Sequence, residues 1–85
     1  MGNKRKASSE ILWILATNLK KLRDARGYTQ QELARRCGFP NSYIGDIEQE
    51  TVNITLANLE ALAKGLECSA EDLLRPPPIP SSQDP

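Results

Sequence analysis

Nine of the eleven lysines and arginines fall in the first 36 residues, at positions 4, 5, 6, 20, 21, 23, 26, 35 and 36. Set against only three acids, Glu10, Asp24 and Glu32, they leave that stretch at +6. Residues 37–85 hold two bases and eight acids and balance at −6, so the formal net charge of zero conceals two halves of opposite sign. A basic half of this density can hold an anionic partner such as nucleic acid even in a neutral chain. Solvated helix faces account for the same charges equally well. Charge alone leaves both readings open.

Other chemistry is scarce. The sequence has no histidine, which removes the commonest general base, the Ser-His triad and most zinc sites. Cys37 and Cys68 stand alone, without a Cys-x-x-Cys pair or a histidine to complete a metal set. No catalytic residue, metal site or cofactor can be nominated, and an enzyme is not expected. Asn3-Lys4-Arg5-Lys6 leads into Ala-Ser-Ser-Glu rather than an apolar core, and the apolar run from Ile11 to Ala16 is too short to span a bilayer. A cytoplasmic chain with reduced cysteines and no membrane partner is the expectation.

The 85 residues, 39% of them hydrophobic, suffice for one small folded domain. The pattern along the chain is helical throughout. Residues 1–8 are polar and basic and read as a flexible arm. Ser8 or Ser9 caps a first helix that runs to about Arg26, carried by Leu12, Leu15, Ala16, Leu19 and Leu22 and stopped by Gly27. Thr29-Gln30-Gln31-Glu32 fits a capping box that opens a second helix to about Arg36, buried through Leu33 and Ala34. Gly38 closes it. Pro40 or Asn41 starts a third helix with Ile44 and Ile47 inward, fading near Gln49.

Thr55 caps a fourth helix in which Leu56, Leu59, Leu62, Ala63 and Leu66 recur at three and four residues, with Gly65 mildly unfavourable near its end. Ser69 opens a short last turn ending in Leu73-Leu74. The proline-rich stretch over 76–85 forbids helix and favours an extended tail. The expected domain is therefore 9–75: five helices, all-α, with loose ends.

Helices two and three are joined by a few residues around Gly38. A small residue, Ala34, inside the first and a glycine in the turn describe a helix-turn-helix over 29–49, because the two helices must cross closely. A helical hairpin in a plain bundle could share these features. The ordered combination is more specific. Thr29-Gln30-Gln31-Glu32-Leu33-Ala34, Gly38, Tyr43-Ile44-Gly45-Asp46-Ile47-Glu48 and Thr55-Leu56 through Leu59, Leu62, Ala63, Gly65 and Leu66 together resemble the Cro/CI-type (Xre) helix-turn-helix family. The resemblance covers about residues 17–74 and is greatest to the controller proteins of restriction–modification systems. Phage-type and antitoxin repressors share nearly the same pattern.

The resemblance implies a five-helix, lambda-repressor-like DNA-binding domain without a cofactor. It places base-reading on Asn41, Ser42 and Asp46, residue types suited to adenine, to any base edge and to cytosine N4 respectively. It places phosphate contacts on Gln30 and Tyr43, with Arg35 and Arg36 as further candidates, and an ion pair between Arg23 and Glu48. Family dimers use the C-terminal helices, which here points to Ile54, Leu59, Leu73 and Leu74 as an apolar seam. The implied function is a bacterial or phage regulator, nucleoid-associated, that binds a palindromic double-stranded DNA operator as a homodimer. RNA polymerase is a further partner such a regulator could engage. The alternative is an antitoxin-like or coactivator-like protein-interaction module on the same fold. Asp46, Glu48 and Glu50 place acid beside the expected interface, so Lys4, Arg5 and Lys6 are the expected supplement.

Overall fold

The structure, a computed structural model, describes residues 9–77. The basic arm over 1–8 and all but the first two residues of the expected tail lie outside the described residues. Five helices follow in order: α1 (Glu10–Arg26), α2 (Gln30–Cys37), α3 (Tyr43–Glu48), α4 (Leu56–Leu66) and α5 (Ala70–Leu74). No strand occurs among the described residues.

Four helix starts are set by capping hydroxyls. Ser9, Thr29, Thr55 and Ser69 each accept a hydrogen bond from a backbone N–H in the first turn, satisfying donors that the helix itself leaves unpaired. At Thr29 and Ser69 the box is reciprocal, with Glu32 and Asp72 returning the bond to the cap residue's own N–H. Gly27 and Gly38 end α1 and α2 in the left-handed region, at φ of 75° and 80°, where a side chain would be strained.

The third helix starts later than its sequence suggests. Pro40 to Ser42 form a turn, and α3 begins only at Tyr43, whose N–H donates to the Pro40 carbonyl at 3.1 Å. Ser42 stands before the helix without capping it through its side chain.

The core joins all five helices. Leu15, Leu19, Leu33, Ile44, Ile47, Leu62, Leu66 and Leu73 are fully buried, with Ala34 wedged among them. α1 packs on α3, α4 and α5, while α2 packs on α3 and α4. Gly65, which looked like a weak point in α4, marks a close crossing. A Cβ there would lie 2.5 Å from Cys37 Sγ and 3.4 Å from Leu33 Cδ1, so α2 and α4 could not approach this closely over any larger residue.

Two polar residues of α1 are buried in the described core. Asn18 donates from Nδ2 to the carbonyls of Leu73 (2.9 Å) and Arg75 (2.8 Å), closing the end of α5 onto α1. Arg23 is the other. Leu56, expected in the buried stripe, is 83% exposed instead, because the first turn of α4 projects past the core.

Candidate nucleic-acid interface

Arg23 of α1 and Glu48 at the end of α3 form a two-pronged ion pair: Nε donates to Oε2 at 2.7 Å and Nη2 to Oε1 at 3.2 Å. Nη1 donates to the Tyr28 carbonyl at 2.9 Å. Both side chains are nearly buried, and hydrogen bonding to Glu48 raises the Arg23 pKa above its ordinary value despite burial. Such a pair fixes orientation more than it stabilises, since desolvation offsets much of the attraction. Here it fixes α3 against α1.

A third residue joins that pair. Gln30, the first residue of α2, donates from Nε2 to Glu48 Oε1 at 2.9 Å. Its place at the helix start also sets it beside the unpaired backbone N–H groups of the first turn. Tyr43 is half-buried, edge-on to Phe39 with ring centroids 4.8 Å apart. Its hydroxyl accepts from Asn58 Nδ2 at 3.0 Å, which leaves the O–H free to donate outward.

Asn41 and Ser42 are exposed and Asp46 is half-exposed. Ser42, just before α3, stands one helical turn from Asp46, whose N–H donates to the Ser42 carbonyl at 3.0 Å, so the two lie on the same side. Thr51 caps the far side, donating from its N–H and its hydroxyl to the Asp46 carbonyl. Arg35 is exposed on α2.

Arg36 departs from the phosphate role expected of it. Its guanidinium lies 4.7 Å over the Tyr28 ring, donates to the Gly65 carbonyl at 3.2 Å and sits 3.6 Å from Glu67. These contacts draw it onto the α2–α4 junction, since positions 30 and 36 fall on different sides of α2.

The expected apolar seam also needs correction. Leu73 is fully buried in the domain's own core and Leu59 is 7% exposed, so neither offers a surface to a partner. Asn18 holds the α5 backbone in place while Leu73 turns inward and Leu74 outward. What remains is a groove of about 400 Å³ between α1, the 53–56 segment and α5, walled by Ile11, Ile54, Leu56 and Leu74 and floored by Leu12, Leu15 and Leu59. Ile11 is 65% exposed beside Leu56, a combination that the helical periodicity of each element gave no sign of.

Both cysteines are half-buried free thiols, and burial pushes their pKa values up. Among the described residues no group of three His, Cys, Asp or Glu side chains could hold a metal ion, and no helix is long and apolar enough to cross a membrane.

The helix-turn-helix family model matches residues 19–73. The chain belongs to the helix-turn-helix family. Within this family of transcription regulators it resembles a hypothetical transcription factor of Neisseria meningitidis serogroup B, at 37% identity over 91% of this chain and 78% of the relative. The crystal structure of the Neisseria hypothetical transcription factor NHTF superposes with a TM-score of 0.78 at 33% identity, covering 89% of this chain and 90% of that one. The restriction–modification controller protein C.Esp1396I, solved bound to a 19-base-pair DNA duplex, superposes with a TM-score of 0.71 at 35% identity, over 76% and 87% of the two chains. The five-helix, all-α reading therefore holds, and the resemblance extends to the controller proteins as the sequence motifs imply.

Proposed function

We propose that this helix-turn-helix protein is a sequence-specific transcriptional regulator that binds a palindromic operator as a homodimer. The observation that carries the reading is the exposed surface made by Asn41 and Ser42 in the turn and Asp46 on α3, a helix pinned to α1 and α2 through Glu48. A controller protein of the same fold was solved on DNA, which supports the same partner here. Gln30, Tyr43 and Arg35 serve phosphates, and the bases at 4, 5 and 6 add a charge-driven contribution.

Dimerisation is what the reading requires in turn. One six-residue helix and the turn before it, with three short polar readers between them, cover too few base pairs to single out a genomic site. The groove flanked by Ile11, Ile54, Leu56 and Leu74 fits a second copy, and two-fold symmetry then sets half-site centres about 10 base pairs apart. Contact with RNA polymerase beside the operator belongs to the same proposal, as does residence at the nucleoid.

The test is a binding titration against salt. Affinity should fall steeply with added salt and favour one palindrome, and Asn41→Ala should cost about 1–3 kcal/mol at a single base pair. A monomer in sedimentation at tens of micromolar, with no preferred duplex, would instead favour the protein-interaction module, the groove then taking a different protein.

A further inference from the structure

Gly45 lies on the side of α3 that meets the start of α2, and its missing side chain gives Gln30 room. A Cβ at Gly45 would stand 3.1 Å from Gln30 Oε1 and 3.5 Å from both Cδ and Nε2. The Gln30 amide therefore rests against the α3 backbone with its nitrogen 2.9 Å from Glu48 Oε1. A carboxylate only accepts, so the nitrogen must face Glu48 and the amide oxygen must lie over Gly45. Glu48 is itself immobilised by Arg23, and its side chain is only 7% exposed. An exposed glutamine at a helix start thus has its amide orientation set by an anchored carboxylate.

We propose that Gly45 and Glu48 are positioning residues for Gln30, holding its amide in one orientation so that its second N–H is ready for a DNA phosphate. This role rests on the DNA-binding reading above. The gain is preorganisation. A free glutamine loses side-chain entropy when it takes a phosphate, whereas one already held has lost it on folding. Arg23 balances the charge of Glu48, so the carboxylate can sit near the phosphate track without repelling it outright. Neither Gly45 nor Glu48 needs to touch DNA for this effect.

Gly45→Ala isolates the role. The new methyl would press on the far end of a long, exposed side chain, so Gln30 yields rather than the backbone. Alanine is also the better helix former, so the fold should not weaken. Binding is measured for the preferred palindrome and for an unrelated duplex, in the full chain and in a Gln30→Ala background. Gly45→Ala should lower affinity about three- to tenfold for both duplexes with thermal melting unchanged or raised, and should change it less than about twofold once Gln30 is alanine. No loss of affinity, or an equal loss in both backgrounds, overturns the proposal.

A second reading needs no DNA. The two side-chain amide protons of Gln30 should resonate away from free-glutamine positions in the NMR spectrum of the unmodified protein and move to those positions in Gly45→Ala. Signals already at free-glutamine positions overturn the clamp. Held signals in a protein that binds no duplex overturn the DNA reading instead, and with it this use of the clamp.

Discussion

On the α2–α3 side, Arg23, Gln30, Tyr43 and Glu48 are each tied by hydrogen bonds to another helix or to backbone. Elsewhere, the groove between α1, the 53–56 segment and α5 leaves Ile11, Leu56 and Leu74 in solvent at 65%, 83% and 37% exposure. The polar groups find their partners within one chain; the apolar side chains remain exposed in it. Polar side chains can satisfy their directional needs with a few local partners and water. Apolar surface gains only by being covered, and a cluster of this kind is what a second molecule would cover. The two faces therefore differ in what disrupts them: single hydrogen-bonding groups on one side, buried area on the other.

The sharpest way to break this comparison is to place the same charge at two adjacent leucines. Leu73→Glu would bury an unpaired carboxylate in the core and should cost about 3–5 kcal/mol, enough to unfold a domain of this size near room temperature. Leu74→Glu should leave melting within about 0.5 kcal/mol of the parent, as surface changes do, while sedimentation shows loss of the proposed dimer. Equal effects at both positions would mean that α5 does not separate core from surface as described.

On the polar side, Glu48→Ala leaves Arg23 nearly buried beside no acceptor on α3 and frees Gln30. The expected loss is about 2–4 kcal/mol in urea unfolding, below or at the low end of the range for fully buried pairs because both partners keep some solvent. Arg23→Met with Glu48→Leu should recover much of that stability but not DNA binding. Recovery of both would show that the pair contributes only to folding.

Gly65→Ala tests the junction between the faces. Overpacking against Cys37 Sγ and Leu33 should cost about 1–3 kcal/mol, partly offset by the better helix propensity of alanine. Adding Cys37→Ala should remove most of that penalty, as read by thermal melting. Ala34→Leu, at the fully buried crossing of α2 and α3, should cost about 1–3 kcal/mol with no such rescue.

The smallest effect concerns pH. Backbone hydrogen bonding from Ser69, helped by Arg75, holds the Asp72 carboxyl below the usual carboxylate range. A folded-state pKa lower than the unfolded value, about 3.9 for aspartate, gives stability that is present above that value and lost as pH falls through the folded one. Asp72→Asn should therefore lower stability slightly at neutral pH and leave it nearly unchanged at the acid end, so that the fall in melting temperature on acidification is flatter. An equally steep fall would remove Asp72 from the capping of α5.

Short-range chemistry explains which features were legible in the sequence. Capping hydroxyls at Thr29, Thr55 and Ser69, and the left-handed glycines 27 and 38, depend on neighbours three to five residues away. The Arg23–Glu48 pair came through family resemblance and stands in the structure. Asn18 left a signal that could have been read: a polar residue midway between Leu15 and Leu22 on the buried face needs acceptors, and it has them in α5. The Tyr43–Asn58 bond left none. The start of α3 was misplaced because proline favours a first helical turn and a β-turn alike.

The sequence by itself determined the five helices, most of their ends and the apolar core of α1 to α4, since these follow from periodicity and capping within single segments. Tertiary structure alone decided which of two adjacent leucines faces inward, why α4 carries Gly65, where Arg36 is drawn, and that Gln30 rests on Gly45 and Glu48. Each of these depends on the approach of helices distant in sequence, to within a few tenths of an ångström. No pattern along one segment encodes that distance, because close packing is a property of the pair of surfaces that meet.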